Sequence, residues 1–344
     1  KDGGNPRVLG SLLAVCSAAT FAFNNASVRR GVLTGTVGQA MVITVPIGVP
    51  LFFIAALATG HLGMVAGFSP HALLALALAG ILHFVWGRYC NYRATTAIGT
   101  NLVAPVQQVN LIVTLVLAVW LLGEQFTPLK ILGIALILLG PTLTMRGRRQ
   151  PPGERAVSPE KITAIDAEKP PAFEPRYAEG YLFSLMSAIG YGLSPILVRV
   201  GLEGKGLGAS FAGGLVAYCA ATVVIALLLL WPGNLRNVLS IKRESAKWFT
   251  LSGVLVFLSQ MFLYMAMAIA PVTVVSPMLR LSMLFRIYFS RLLNPQHEIF
   301  GGSVIAGTLV SLAGALALSA STEVVQSLVP LPEAVLAMLN WHWP

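Results

Sequence analysis

Residues 92–108 read YRATTAIGTNLVAPVQQ, and residues 264–280 read YMAMAIAPVTVVSPMLR. Tyr92 and Tyr264, Ala94 and Ala266, and Pro105 and Pro277 are matched at one constant spacing along the chain. Two other blocks repeat in the same order. Ser17, Ala18, Val28, Arg29 and Gly31 recur, at a slightly shorter spacing, as Ser187, Ala188, Val198, Arg199 and Gly201. Glu124, Gly133 and Gly140 recur, at a slightly longer one, as Glu298, Gly307 and Gly314. Short loop insertions explain the drift from block to block. The chain is written as two copies of one unit.

The solvent of that unit is lipid. Of 344 residues, 56% are hydrophobic and 10% charged, and the mean hydropathy is +0.77. A soluble surface needs roughly 25% charged residues. The net charge of +10 does not mark a nucleic-acid binder, because the basic residues cluster between apolar runs, where topogenic charges sit. Cys16, Cys90 and Cys219 lie in apolar runs without ligand spacing and read as small buried residues. No metal or cofactor is expected.

A bilayer core needs roughly 20 apolar residues per helix. Ten runs qualify: 8–28, 36–59, 70–91, 97–121, 127–145, 180–200, 207–231, 247–268, 271–293 and 299–320. Their continuity excludes the alternating strands of a barrel. Trp120, Trp231 and Trp248 fall at run ends, where interfacial tryptophans sit. Residues 146–179 form a linker; 146–178 alone hold six prolines, seven basic and five acidic residues, too polar to bury a core. The tail, 321–344, is too short to span and is expected on the membrane surface. The expected fold is therefore an all-α integral membrane protein of ten transmembrane helices, 8–145 and 180–320 being five-helix repeats. An odd number of spans per copy makes the second enter from the opposite side, an inverted repeat of the kind found in secondary transporters.

At these residues the chain resembles a known family. The five-plus-five spans, the Tyr-Ala-Pro phrase of 92–105 and the stretch GEQFTPLKILGIALILLG (123–140) are similar to EamA-type transporters of the drug/metabolite transporter superfamily. The resemblance covers about 8–145 and 180–320. It implies a ten-helix bundle around a central polar cavity and carries over no catalytic residue. NPQHE (294–298) departs from the apolar-Gly-Glu expected of the family in the second copy.

The polar residues within the runs are the candidate site. Ser17, Thr20, Asn24 and Ser27 form one stripe in the first run. His83, Trp86, Gly87, Cys90 and Asn91 share a face in the third, as do Asn101, Pro105 and Gln108 in the fourth. Either interhelical hydrogen bonding or cavity lining suits each stripe. Pro105 and Pro277 interrupt the fourth and ninth runs and are candidate hinges. Glu124 and Glu298 suit helix N-termini. Small residues in the fifth and tenth runs suit close packing.

Charge is the sharper signal. All thirteen acidic residues lie in loops, linker, termini or run edges, whereas Arg88, Arg93, Arg280 and Arg286 lie within or near runs. Arg93 is close enough to a run end to snorkel. Arg280 is about 13 Å into the ninth run at 1.5 Å per residue. At the spacing that relates Tyr92 to Tyr264, Arg280 matches Gln108 and Arg88 matches Gln260. Each position pair stays polar, and one member of each carries charge, as a cavity for an anionic or zwitterionic solute requires.

The expected substrate contacts are Arg280, Arg88, Gln108, Gln260, His83, Trp86, Asn24 and Tyr264. The expected activity is transport of a small organic metabolite across the membrane by alternating access, its partners being that solute, the bilayer and a coupling ion or counter-substrate. No phosphate-binding G-x4-G-K-[ST] motif occurs. Export of cationic or hydrophobic drugs is the nearest alternative. An intramembrane enzyme or a non-transporting membrane protein is the alternative of another class. The expected location is a bacterial inner membrane. Basic residues number about 15 on the linker's side and five on the other. That bias places the linker in the cytoplasm, whereas the family resemblance implies the reverse.

Overall fold

A computed structural model describes residues 6–122, 128–146, 173–202, 205, 208–269, 275 and 278–319. Glu124, Pro277, most of the linker, the tail beyond 319 and the side chains of Trp120 and Tyr264 lie outside the described residues, so the expectations placed on them are not addressed.

The described residues are helical, with no strand among them. The helices are α1 (Pro6–Gly31), α2 (Val37–Thr44), α3 (Gly48–Ala58), α4 (Pro70–Gly80), α5 (Arg88–Ile98), α6 (Thr100–Gln107), α7 (Val109–Leu122), α8 (Pro128–Arg146), α9 (Tyr177–Leu202), α10 (Ala209–Leu229), α11 (Asn234–Leu239), α12 (Arg243–Ile269), α13 (Ser282–Leu293) and α14 (Gly302–Ser319). Among the described residues, six stretches are long and apolar enough to cross a bilayer: Leu9–Gly31, Val37–Ala58, Pro70–Ile98, Tyr177–Leu202, Ala209–Leu229 and Arg243–Leu263. Pro128–Thr144 and Gly302–Ala317 are shorter apolar helices.

Local chemistry sets the interruptions. Thr36 opens α2 with a capping box, accepting from the Gln39 amide while Gln39 reaches back to the Thr36 amide. Pro46 separates α2 from α3. Ile81–Gly87 joins α4 to α5 as a π-helical segment, a wide turn that recurs at functional sites. Gly99, at φ +78°, joins α5 to α6; its left-handed backbone favours glycine. Pro105 lies inside α6, and the helix breaks at Gln108 before α7 begins.

Packing follows polarity in the sense expected of lipid. Large apolar side chains such as Leu12, Ile54, Leu74, Leu182, Leu227 and Leu292 face outward, while Asn24, Asn25, Arg29, Arg88, Asn91, Gln107 and Arg286 are buried. α1 runs along α12, α8 along α14, α5 and α7 along α9, and α4 along α10. Two expectations are corrected. Cys16 and Cys219 are exposed on the outer face, and only Cys90 is buried; a thiol is apolar enough to face lipid. Arg93 does not snorkel freely: it pairs with Glu179, which also holds Arg176 at 3.0 Å.

Candidate functional site

The widened turn at Ile81–Gly87 decides which side chains of the third run point inward. A π-helical turn shifts angular register, and Trp86 leaves the face drawn at 3.6 residues per turn while Gly87, Cys90 and Asn91 stay buried. His83 turns toward α9, its Nδ1 2.8 Å from Ser194 Oγ and its ring 4.6 Å from the Tyr191 ring. Trp86 turns away; nearly half exposed, it donates from Nε1 to the Met186 carbonyl at 3.2 Å. Gly87 leaves room for Tyr191, whose ring would stand 2.8 Å from any Cβ placed there.

One step later, Arg88 enters the interior. Its guanidinium donates to the Thr44 carbonyl at 3.2 Å and to the Tyr218 hydroxyl at 3.3 Å, and lies 4.9 Å from the Phe84 ring centroid. Tyr92, on the same helix, donates to Thr44 Oγ1 at 3.2 Å. Tyr191 lies within electrostatic reach of both Arg88 and Arg286.

The second cluster is a chain of amides ending on a charge. Asn25 Nδ2 donates to the Phe21 carbonyl at 2.8 Å, and Asn91 Nδ2 donates to Asn25 Oδ1 at 3.2 Å. Gln107 Nε2 donates to Asn91 Oδ1 at 2.8 Å and lies 3.4 Å from Ser187 Oγ. Gln107 Oε1 accepts from Arg286 Nη1 at 2.8 Å. The chain crosses α1, α5, α6 and α13 and touches α9. Every amide is oriented by its neighbour, so the network specifies one arrangement.

Residues 8–146 match the EamA-like transporter family. The first part of this integral membrane protein is thus similar to a family of transporters. No curated protein matches the chain. Of 23 matching chains of solved structures, one, described only as "Crystal structure of protein", has a TM-score of 0.57 at 15% identity, covering 91% of this chain and 96% of its own. At that identity the likeness carries the fold alone.

Within the chain the expected contacts divide. His83 and Arg88 share the interior with Tyr191. Gln108 is buried, donating to the Ala104 carbonyl at 3.3 Å, and its Oε1 has no partner among the described residues. Arg280 is half-buried in helical residues 278–280, and its Nε is shut from solvent without a partner there. Gln260 is half-buried on α12. Asn24 is placed elsewhere: its Oδ1 accepts from Ser252 at 2.5 Å, and Ser17 exchanges hydrogen bonds with Ser259, so that stripe holds α1 to α12. Sequence reasoning misses Gln107, Tyr191 and the inward role of Arg286. Arg286 is visible as a mid-run charge; its partner Gln107 is hidden beside Gln108, which holds the repeat position.

Proposed function

We propose that this chain is a ten-span secondary transporter of two five-helix repeats in opposite orientation. It carries a small organic anion or zwitterion across a bacterial inner membrane by alternating access. The observation that carries the reading is the set Arg88, Arg280 and Arg286. Arg88 and Arg286 are buried in helices and Arg280 is half-buried in helical residues 278–280, with no carboxylate at ion-pair distance from any of the three among the described residues. Intramembrane charge is costly and marks solute pathways. An anion arriving at such a site supplies the missing partner.

Repeat asymmetry supports the same reading. Arg280 and Gln108 are repeat mates, as are Arg88 and Gln260, so polarity is kept in both copies and charge in one. Tyr191, His83 and Tyr218 give an aromatic wall for an organic body. Pro105 supplies a bend about which the repeats rock, and a coupling ion or counter-substrate provides the driving force.

The test is exchange of labelled metabolites across sealed proteoliposomes. Candidates come from a screen for ligands that raise the thermal stability of the purified protein. Anionic or zwitterionic hits that exchange support the reading. Exchange of organic cations with no anion response overturns the charge assignment in favour of a drug exporter.

A further inference from the structure

Arg286 is buried to 4% of its surface, and its guanidinium lies 5.2 Å from the Phe21 ring centroid. Its five donors are served unevenly. Nη1 is taken by Gln107 Oε1 at 2.8 Å. Nε is buried with no partner, and Nη2 has no hydrogen-bonding partner among the described residues. Nε and Nη2 form one edge of the planar guanidinium and point the same way, as two parallel donors. That edge matches the spacing of two carboxylate oxygens.

A buried donor left unmade costs the desolvation of that group. Here the orphan is held in place from behind: Gln107 is fixed by Asn91, Asn91 is bonded to Asn25, and the whole chain locks the opposite edge of the guanidinium. A guanidinium wanted only for packing would be satisfied on both edges. The arrangement is that of a preorganised receptor, its cost taken up before the ligand arrives.

We propose that the Nε–Nη2 edge of Arg286 is the docking fork for a carboxylate group of the transported molecule, with Gln107 as the residue that positions it. This deepens, and rests on, the reading of the chain as an anion transporter. A single planar edge bearing one charge fits a carboxylate. A dianionic phosphate calls for more donors than this edge presents. The Phe21 ring lies beside the guanidinium, its centroid 5.2 Å away.

The test uses the full chain in lipid nanodiscs with arginine 15Nε labelling. The Arg286 Nε signal is identified by its loss in Arg286→Lys. Acetate, acetamide and inorganic phosphate are the probes, each titrated at constant ionic strength with chloride. The expected result is a saturable shift of the Arg286 Nε signal with acetate, none with acetamide and a weaker one with phosphate. In Gln107→Leu the signal remains and the apparent acetate affinity falls about 10-fold, the scale of one charge-assisted hydrogen bond. A signal that does not respond to acetate overturns the fork, as does an equal response to acetamide. A stronger response to phosphate overturns the carboxylate assignment. Metabolite exchange in proteoliposomes separates the two claims: exchange with a silent Arg286 overturns the fork alone, and a responsive Arg286 without exchange removes the transport reading.

Discussion

Glu298, from the second half of the chain, caps a helix in the first. Its carboxylate accepts from the Thr100 amide at 2.7 Å, the Thr100 hydroxyl at 2.8 Å and the Asn101 amide at 3.1 Å, the N-terminus of α6. Arg29 approaches the same carboxylate at 3.8 Å and donates to the Thr95, Thr96 and His297 carbonyls. The cation thus sits at the C-terminus of α5 and the anion at the N-terminus of α6, as the two helix dipoles favour. Gly99 turns the chain between them. One polar knot ties α1, α5, α6 and the loop before α14.

Removing that carboxylate is therefore expected to destabilise the fold through a distant helix. Glu298→Ala strips the cap and leaves Arg29 without an anion; a loss of about 2–4 kcal/mol is expected. Glu298→Gln keeps one acceptor oxygen and loses less. Unfolding in detergent should rank the parent above Gln and Gln above Ala. A Gln variant as stable as the parent would mean that the carboxyl is protonated in the folded protein, where burial raises it and Arg29 pulls it back.

His297 gives this region a pH dependence. Burial first, then the guanidiniums of Arg29 and Arg30, hold its imidazole below the ordinary 6.5. Below 6.5 the unfolded chain takes the proton more readily than the folded one. The His297 contribution is therefore present above that pH and is lost as pH falls through the depressed folded value. Compared at about pH 7 and pH 5, the parent should lose more stability than His297→Gln. Equal losses would exclude His297 as the source.

α8 and α14 meet through residues without bulk. A Cβ on Gly140 would strike Ser311 Oγ and stand 2.7 Å from the Gly307 carbonyl. Gly140→Ala is expected to cost about 1–3 kcal/mol through overpacking. Adding Ser311→Ala removes one of the two obstacles and should restore part of the loss. Full tolerance of Gly140→Ala would show that the two helices separate easily.

Pro105 bears on turnover. It cannot donate its backbone amide, and the helix breaks shortly after it at Gln108. Pro105→Ala allows a continuous helix, so exchange in proteoliposomes should slow more than ligand affinity falls. Equal change in both would reduce the break to packing.

Different parts of this protein are legible in the sequence to different degrees. Continuous apolar runs reveal lipid as the solvent because the signal is summed over a whole span. The small residues at Gly133, Gly140, Gly307 and Gly314 predict close approach because a missing side chain has one consequence. In the third run Trp86 alone leaves the face that spacing draws, because a π-helical turn shifts angular register and no local spacing encodes it. Asn24 reads as cavity lining because a polar stripe looks the same whether it meets a solute or Ser252. Glu298 reads as a cap for the helix that follows it, whereas the helix it caps is α6, in the first half of the chain; a long-range partner leaves no local trace.

Arg280 returns to the glutamine that faces it in the repeat. Gln108 shows that this position accepts an amide inside the protein, so Arg280→Gln should fold. Its guanidinium Nε is shut from solvent without a partner among the described residues, which leaves it free for an anion. The substitution should weaken ligand binding by roughly 1.5–3 kcal/mol, about 10- to 150-fold in affinity. Arg280→Lys should recover only part, since an ammonium keeps the charge and loses the planar pair of donors. Calorimetry on the parent and both variants, with a ligand from the thermal screen, reads the ranking directly. If Arg280→Gln binds as tightly as the parent, Arg280 contributes to the helix alone, and the anion is left to Arg88 and Arg286.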